Sequence, residues 1–305
     1  MAGVAERHIP VMLEQAVDAL NVKAGGVYVD GTLGRAGHTR EIVRRGGTVI
    51  GIDRDDDALR AVGEMKVPGL KAVKGRHGDI AEILKKERLE EVDGILLDLG
   101  VSSPQLDEGR RGFSFNAEGP LDMRMDRTGG MTAAELVRTG SEDELTNIFR
   151  TLGEEPNARR IAKAIVCARA GRMIETTLQL AGVVESAIGR HGAHHPATRV
   201  FQALRMAVND ELGELTRALS GGLGSLRTGG RFVVITFESL TDRTVKRFFA
   251  AHAGRMVSLQ QGGDRWEGEL PRVRLVTRHA AVASREEVAA NPRSRSAKMR
   301  AAERI

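Results

Sequence analysis

The first hundred residues alternate between short apolar, β-branched runs and longer segments with apolar positions three and four residues apart. The first pattern predicts buried strands and the second predicts helices. Strands are predicted over residues 27–30, 48–53, 70–73 and 94–98, and helices over 38–45, 55–62 and 79–87. Strands that alternate with helices form parallel sheets covered on both faces, so this part of the chain predicts an α/β fold with a Rossmann-like sheet.

The pattern changes between residues 109 and 198, where no convincing strand occurs. Leucine, isoleucine and alanine recur there at helical spacing over 133–138, 142–152, 157–170 and 178–188. The α/β alternation returns with a helix predicted over 201–219 and a strand over 231–236. We therefore predict a helical domain (109–198) inserted into an α/β domain formed by residues 1–108 and 199–283. Residues 284–305 are polar and basic without a period, which predicts a partly mobile C-terminal tail.

The composition is typical of a globular protein, with 41% hydrophobic and 29% charged residues among 305. No run reaches the length of about 18 apolar residues that would cross a bilayer. Glu6 and Arg7 lie where a secretory signal would be apolar, so a cytoplasmic location without membrane contact is expected. The single Cys167 fits a reducing compartment, and its helical surroundings predict a buried side chain.

The net charge of +5 comes from basic residues that are concentrated in the last third of the chain. These are Arg243, Lys246, Arg247, Arg272, Arg274, Arg278, Arg293, Arg295, Lys298 and Arg300. They suit a polyanionic partner, but solvated helix faces with no partner would have the same composition. Charge alone leaves both interpretations open.

A glycine-rich loop, Asp30-Gly-Thr-Leu-Gly-Arg-Ala-Gly-His38, joins the first predicted strand to the first helix. It lacks the G-x-G-x-x-G pattern of dinucleotide sites, because Thr32 and Leu33 stand where a pyrophosphate needs bare backbone. Asp30 would repel phosphates but would suit a ligand that carries an amine and a sulfonium. The carboxylate of such a ligand could bind the N–H groups at the following helix N-terminus.

Asp53 ends the second predicted strand, at the position where an acidic residue accepts hydrogen bonds from a ribose diol. The alternative role is the N-cap of the next helix, which Asp55 or Asp56 could fill as well. The loop, Asp53 and Asp30 together favour S-adenosylmethionine over NAD as the cofactor, and hence a class I methyltransferase sheet.

Asp98 begins the segment Asp98-Leu-Gly-Val-Ser-Ser-Pro-Gln105, at the carboxyl end of the most apolar strand. Open α/β sheets bind ligands at this end. The segment loosely resembles the Asp/Asn/Ser-Pro-Pro-aromatic motif of DNA amino-methyltransferases, with Gln105 in place of the second proline. Such residues can hold an exocyclic amine for methylation, so Asp98 and Ser103 are candidate catalytic residues. An ordinary turn at Ser102-Ser103-Pro104 is the alternative.

Longer motifs extend over most of the chain. In order they are HIPVMLEQAVDAL, DGTLGRAGHT, GILLDLGVSSPQLDEGRRGFSF, GPLDMRMD, HPATRVFQALRMAVNDEL, SLTDRTVKRFF and NPRSRSAKMR. With these motifs the sequence resembles the bacterial ribosomal RNA small subunit methyltransferase H family, also called MraW. The resemblance implies N4-methylation of a cytidine in the decoding region of 16S rRNA, with S-adenosylmethionine as donor and the small ribosomal subunit as partner. The oligomeric state stays open, with a homodimer as one alternative.

The resemblance also implies the site residues. Cofactor contacts fall on Ala36, Gly37, His38, Asp53, His77, Asp98 and Gln105. Three positions depart from the family pattern: Ala36 replaces a glycine, His77 an aromatic such as Phe, and Glu238 a histidine. Arg199 fits the pattern as a substrate contact, and Lys246 and Arg247 beside Phe248-Phe249 suit phosphate binding.

Other candidates are weaker. His191, His194 and His195 lie near Glu185 in the sequence, but their glycine-containing loop does not favour a metal site, and none is expected. Phe113 and Phe115 alternate with basic residues, which suits either base stacking or core packing. We expect a target cytosine to be unstacked into a cleft between the two domains. A DNA or small-molecule methyltransferase, and a non-catalytic RNA-binding protein, are the alternative functions.

Overall fold

The computed structural model describes residues 10–190, 195–258, 264–267 and 270–305. The chain divides into two compact units. One, here called the α/β unit, consists of Met1–Gly100 and Gly213–Ile305, and the other, the helical unit, is Val101–Leu212. The boundaries thus differ from the expected 109–198, because the short helix after the last N-terminal strand and most of the helix predicted over 201–219 belong with the inserted segment.

The first part of the α/β unit follows the predicted alternation closely. Its elements are α1 (Leu13–Leu20), β1 (Val27–Asp30), α2 (Gly37–Arg44), β2 (Thr48–Asp53), α3 (Asp56–Met65), β3 (Leu70–Lys74), α4 (Ile80–Lys86) and β4 (Val92–Asp98). A short 3-10 turn, His77–Asp79, precedes α4. The predicted strands and helices are confirmed here. Strands β1, β2 and β4 are short apolar runs between glycine or polar turns, whereas β3 is half polar and mostly exposed and pairs with β2.

The second part of this unit begins near the start of α11 (Glu211–Ser225). It continues with β5 (Leu226–Thr236), α12 (Ser239–Ala253), β6 (Arg255–Ser258), β7 (Asp264–Glu267), β8 (Val273–Leu275), β9 (Ala281–Val282), α13 (Arg285–Ala290) and β10 (Lys298–Arg304). The large sheet has the order β3-β2-β1-β4-β5-β10-β8, and β9 pairs with β10. Strands β1 to β5 run parallel, and β10 is antiparallel to β5.

Alternate residues of the central strands pack on opposite faces of this sheet. On one face Ile95, Leu97 and Phe232 share an apolar cluster with α4, α11 and α12. On the other face Leu96 and Val233 share a cluster with α1 and α2. Helices therefore cover both faces, and the predicted Rossmann-like α/β fold is confirmed. The carboxyl ends of β1, β2 and β4 lie side by side along one edge.

The C-terminal segment is not the mobile tail that its composition predicts. Residues 298–304 form β10, which pairs with β5 from Lys298 opposite Thr236 to Glu303 opposite Arg231. Ala301 and Ala302 are buried in the sheet. The error has a physical cause: small and charged residues have weak strand propensity, and this segment is a strand because it pairs with β5, β8 and β9.

The helical unit contains no strand among its described residues. It consists of α5 (Ser103–Asp107), α6 (Ala133–Thr139), α7 (Glu142–Thr151), α8 (Ala158–Gly171), α9 (Thr177–Ile188) and α10 (Thr198–Val208). The helix predicted over 201–219 is broken at Asn209 and Asp210, and Asp210 has a φ of 48°. The Asn209 side chain donates to the carbonyl groups of Met123 and Arg205, which closes the end of α10.

Two further expectations concern exposure. Cys167 is exposed on α8, so the expected burial of its side chain was wrong. It lies on the outer face of the helix, whereas Ile161, Ala162 and Ile165 supply the buried face. Within the described ranges, the helices are too short or too polar for a membrane span.

Candidate cofactor and active site

Three carboxylates mark the carboxyl ends of three adjacent parallel strands. Asp53 is the last residue of β2, Asp30 of β1 and Asp98 of β4. In the described part of the chain, none of the three lies within ion-pairing distance of a lysine or arginine. The pKa of each is raised, chiefly because burial disfavours the ionised form. Carboxylates that are buried or partly buried and have no cationic partner are typical of a binding site.

Asp30 organises the glycine-rich loop from within. Its side chain is only 2% exposed, and its Oδ2 accepts a hydrogen bond of 2.7 Å from the Thr39 hydroxyl on α2. Its Oδ1 accepts one of 3.2 Å from the backbone N of Thr32. Both oxygens therefore accept hydrogen bonds from groups of the loop and α2. The sequence predicted that Asp30 faces the ligand and did not indicate this structural role.

Close packing favours glycine at both ends of the loop. A Cβ at Gly31 would collide with the Leu97 side chain, and one at Gly37 would collide with the Pro10 ring. Between them, Gly34 and Ala36 have φ angles of 49° and 57°. Ala36 thus occupies the left-handed region, where a side chain costs about 1 kcal/mol or more. Its backbone takes the conformation that a glycine in this position would favour.

Asp53 bridges the loop and the start of α3. Its Oδ2 accepts a hydrogen bond of 2.8 Å from the N of Gly34, and its Oδ1 accepts one of 2.9 Å from the N of Asp55. Burial raises the pKa of Asp53 to about 6, although these hydrogen bonds oppose the shift. The N-cap of α3 is Asp55, whose side chain accepts from Asp57 N, so the capping alternative does not apply to Asp53.

His38 and Asp98 face each other across the loop. The His38 ring is buried, and its Nε2 donates to the Val11 carbonyl at 3.0 Å. Its Nδ1 lies 3.9 Å from Asp98 Oδ2, which is too far for a hydrogen bond. The backbone N of Asp98 donates to the Thr32 hydroxyl at 2.7 Å. The loop therefore holds the backbone of Asp98 and leaves its carboxylate without a strong protein partner.

The Asp98 carboxylate carries the clearest sign of a ligand. Its Oδ1 is buried and has no hydrogen-bond partner among the described residues. Burial raises the pKa of Asp98 to about 6, His38 opposes that shift and Asp30 adds to it. A buried acceptor without a donor costs free energy of the order of 1–3 kcal/mol. A donor supplied by a bound molecule would recover that energy.

His77 lies in the 3-10 turn that follows β3. Its Nε2 is also buried without a hydrogen-bond partner among the described residues. Burial lowers the pKa of His77 to about 4, so the imidazole is neutral at physiological pH. A neutral imidazole can stack on an adenine and can also offer one ring nitrogen as a hydrogen-bonding group.

Two of the predicted site residues belong to the helical unit, at the beginning of α5. Ser103 is the first residue of this helix, and Ser102 is its N-cap. The Gln105 side chain is buried, and its Oε1 accepts a hydrogen bond of 3.0 Å from Ser102 N. The Ser-Ser-Pro-Gln segment therefore begins α5 with a capping box rather than forming an isolated turn. Contacts of Ser103 and Gln105 with ligands remain predictions.

The predicted substrate contacts are exposed. Arg199 lies on α10 of the helical unit, and its guanidinium donates to the Glu154 carbonyl at 3.3 Å. Lys246 and Arg247 are exposed on α12 of the α/β unit. Phe249 on the same helix is buried against Phe232, with ring centroids 5.9 Å apart. Exposed cations beside a buried anchor are compatible with phosphate binding.

The two aromatic candidates pack within the helical unit. Phe113 is 6% exposed and belongs to its core. Phe115 stacks on His195 with centroids 4.5 Å apart and contacts the edge of Phe201. Of the histidines considered for a metal, His191 and His194 lie outside the described residues. The residues that are described contain no cluster of three metal-ligating side chains.

The residues at the sheet edge fit S-adenosylmethionine. Its amine and sulfonium suit carboxylates without cationic partners, and its ribose hydroxyls suit Asp53. The unpartnered atoms of Asp98 and His77 supply buried hydrogen-bonding positions. Fold and site together are those of an S-adenosylmethionine-dependent class I methyltransferase.

Comparisons of the sequence with known proteins identify its family. The model of the MraW methylase family matches residues 5–305, and the chain belongs to this family. A ribosomal RNA small subunit methyltransferase H from Symbiobacterium thermophilum is 48% identical, with 98% of this chain and 96% of the relative covered. One from Methylobacillus flagellatus is 47% identical, with 99% and 96% covered. A solved rRNA methylase from Streptococcus thermophilus is 8% identical, with a TM-score of 0.40 and 99% of each chain covered.

Sequence reasoning missed three contributors to the site. Thr32 and Thr39 hold Asp98 and Asp30 by their hydroxyl groups. Glu214, far along the chain, accepts a hydrogen bond from Gly78 N in the turn that contains His77. Thr32 lies in the loop and Thr39 in the first turn of α2, and both could have been considered from their short polar side chains. Glu214 lies in a helix with no local feature that distinguishes it.

Proposed function

We propose that this protein methylates the exocyclic N4 amine of a cytidine in the decoding region of 16S rRNA. The relatives quoted above are named as methyltransferases of small-subunit rRNA. The observation that carries the proposal is the buried Asp98 Oδ1 at the carboxyl end of β4, an acceptor without a donor. An amino group with two N–H donors is the kind of substrate that this atom suits.

The chemistry assigned to the protein is positioning. S-adenosylmethionine supplies an electrophilic methyl group. Asp98 accepts a hydrogen bond from the N4 amine and turns the nitrogen lone pair toward that methyl carbon. With S-adenosylmethionine bound, the N4 nitrogen would form a bond to the methyl carbon as the carbon–sulfur bond breaks. S-adenosylhomocysteine would leave, and the methylated nitrogen, whose N–H is now acidic, would lose one proton to water. With a pKa of about 6, Asp98 is mostly ionised at neutral pH and can accept hydrogen bonds throughout.

We assign the remaining predicted residues as follows. Ala36, Gly37 and His38 contact the cofactor from the loop, Asp53 accepts from its ribose, and His77 contacts its adenine. Asp98 contacts the cofactor as well as the N4 amine. Gln105 and Ser103 contribute from α5. Arg199, Lys246 and Arg247 contact phosphates of the RNA, because exposed cations position a nucleic acid without selecting its sequence. The substrate places the reaction in the bacterial cytoplasm, where small ribosomal subunits occur.

The test is mass mapping of 16S rRNA modifications in cells that have or lack this protein. Loss of one N4-methylcytidine mark, restored by the wild-type chain and not by Asp98→Ala, is the expected result. An unchanged modification map would refute the rRNA assignment. Methylation of short DNA by the purified protein, with none of small-subunit rRNA, would instead favour a DNA methyltransferase. Absence of S-adenosylmethionine binding in calorimetry would favour a non-catalytic RNA-binding protein.

A further inference from the structure

Glu214 is a fully buried carboxylate within the first turns of α11. Its side chain has an exposure of 0% and lies near three guanidinium groups. Glu214 Oε1 is 2.9 Å from Arg217, 3.4 Å from Arg76 and 3.8 Å from Arg54. One negative charge thus lies among three positive ones. Burial of the Glu214 carboxylate costs free energy, and these three guanidinium groups compensate for it.

The partners of Glu214 come from two turns that the proposed site uses. Arg54 follows Asp53 at the end of β2, and Arg76 precedes His77 after β3. In addition, Glu214 Oε2 accepts a hydrogen bond of 3.1 Å from Gly78 N. One side chain from α11 therefore ties together the turns that carry the predicted ribose and adenine contacts.

The contact is close enough to restrict the residue at position 78. A Cβ at Gly78 would collide with Glu214 Oε2, so a larger residue at this position would force the carboxylate away from the backbone N of residue 78. Glu214 also acts on His77 through its charge, since it partly opposes the burial and the two arginines that lower the pKa of that imidazole. Geometry and charge both connect Glu214 to the His77 turn.

We propose that Glu214 is a positioning residue for the cofactor, which holds the His77–Gly78 backbone and Arg54 in the arrangement that binds the adenosine part of S-adenosylmethionine. The inference rests on the proposed cofactor contacts of Asp53 and His77. Substitution of Glu214 should therefore weaken cofactor affinity more than it lowers turnover. The reason is that its carboxylate contacts the turns that bind the cofactor and does not contact the reacting atoms.

Glu303 is the matched control. It is also a buried carboxylate of the α/β unit that pairs with two arginines, Arg231 at 2.6 Å and Arg274. It lies on β10 opposite Arg231, toward the amino ends of the parallel strands, whereas Asp98 lies at their carboxyl ends. A loss of stability common to broken buried ion pairs should therefore follow substitution of either carboxylate. A loss of cofactor affinity should follow substitution of Glu214 alone.

The experiment measures S-adenosylmethionine affinity by calorimetry, and KM and kcat by rRNA methylation, for Glu214→Gln, Glu214→Ala, Gly78→Ala, Glu303→Gln and Asp53→Asn. Glu214→Ala should weaken affinity about 10-fold, the worth of a charged hydrogen bond. Glu214→Gln keeps an oxygen for Gly78 N and should lose less. In the Glu214 and Gly78 variants, the KM for the cofactor should rise, whereas kcat at saturating cofactor should stay near the wild-type value. Glu303→Gln should leave the affinity for S-adenosylmethionine unchanged, even if it lowers the free energy of unfolding.

The outcomes separate this inference from the proposed site. If Asp53→Asn weakens affinity but the Glu214 and Gly78 variants do not, Glu214 has only a structural role and the inference is wrong. If Asp53→Asn has no effect either, the proposed cofactor contacts themselves are wrong. If Glu214→Ala does not fold, Gly78→Ala tests the same contact from the backbone side. Equal affinity losses in Glu303→Gln and Glu214→Gln would also overturn the inference.

Discussion

Acidic side chains have different partners at the two ends of the parallel strands, here called the amino edge and the carboxyl edge of the main sheet. At the amino edge, Glu303 pairs with Arg231 at 2.6 Å, and Asp93 pairs with Arg227 at 3.1 Å. At the carboxyl edge, the three aspartates that end β1, β2 and β4 have no lysine or arginine partner in the described ranges, and their pKa values are raised. The same sheet thus compensates its charges at one end and leaves them uncompensated at the other.

This difference separates stability from binding. Paired carboxylates at the amino edge hold strands together, because removing one partner would leave a buried charge. Carboxylates at the carboxyl edge oppose folding in the absence of a ligand, since burial disfavours their ionised form. A ligand with donors or positive charge would recover that energy on binding. Substitutions at the two edges should therefore change different measured quantities, and often in opposite directions.

The largest expected effect is on methyl transfer. Asp98→Asn keeps the shape of the side chain but removes its charge and replaces one acceptor by a donor. We expect the rate at saturating S-adenosylmethionine to fall about 10²–10⁴-fold, the range for a lost positioning or proton-accepting group. Single-turnover methylation of small-subunit rRNA measures it. Glu303→Gln at the opposite edge should retain the wild-type rate, and a similar loss there would contradict the comparison.

The next effect is on stability at the amino edge. Glu303→Ala leaves the partly buried Arg231 without its main partner and also releases Arg274. We expect the free energy of unfolding to fall by about 2–4 kcal/mol, near the lower end of values for broken buried pairs because both side chains keep some exposure. Urea unfolding at pH 7.5 checks this. A loss below that of an exposed ion pair, about 1 kcal/mol, would contradict the role assigned to this edge.

The sequence predicted the carboxyl edge far better than the amino edge. Asp53 and Asp98 each end a short apolar run, so local pattern alone placed them at strand ends. Glu303 looked like part of a basic tail, because its strand is recognisable only beside β5, about 60 residues earlier in the chain. Glu214 was missed for the same reason: its partners Arg54 and Gly78 come from distant turns. Contacts between distant segments have no local sequence pattern.

The third prediction concerns the pH dependence of stability at the carboxyl edge. The folded pKa of Asp98 is about 6, above its ordinary value of 3.8. Stability from this group is therefore fully present below about pH 4 and is lost as the pH rises through 6. Asp98→Asn, which stays neutral, should raise the unfolding free energy by about 3 kcal/mol at pH 8 and by only about 0.6 kcal/mol at pH 4. Urea titrations at both pH values measure the difference.

Cofactor binding should show the complementary dependence. A protonated Asp98 or Asp53 is a poorer acceptor and carries no negative charge, so S-adenosylmethionine affinity should weaken as the pH falls below 6. Calorimetry between pH 5 and 8 checks this, and Asp98→Asn should flatten the profile. A wild-type profile without any change over this range would show that these carboxylates do not contact the cofactor.

The smallest expected effect concerns Ala36, whose φ of 57° is left-handed. Ala36→Gly removes backbone strain of about 1–2 kcal/mol. It also removes a buried methyl group, worth about 0.8 kcal/mol, and adds about 0.5–1 kcal/mol of chain entropy to the unfolded state. These contributions nearly cancel, so the unfolding free energy should change by less than about 1 kcal/mol, with cofactor affinity retained. Ala36→Val adds a β-branched side chain at this φ and should weaken both, because the loop must then leave its conformation beside Asp53.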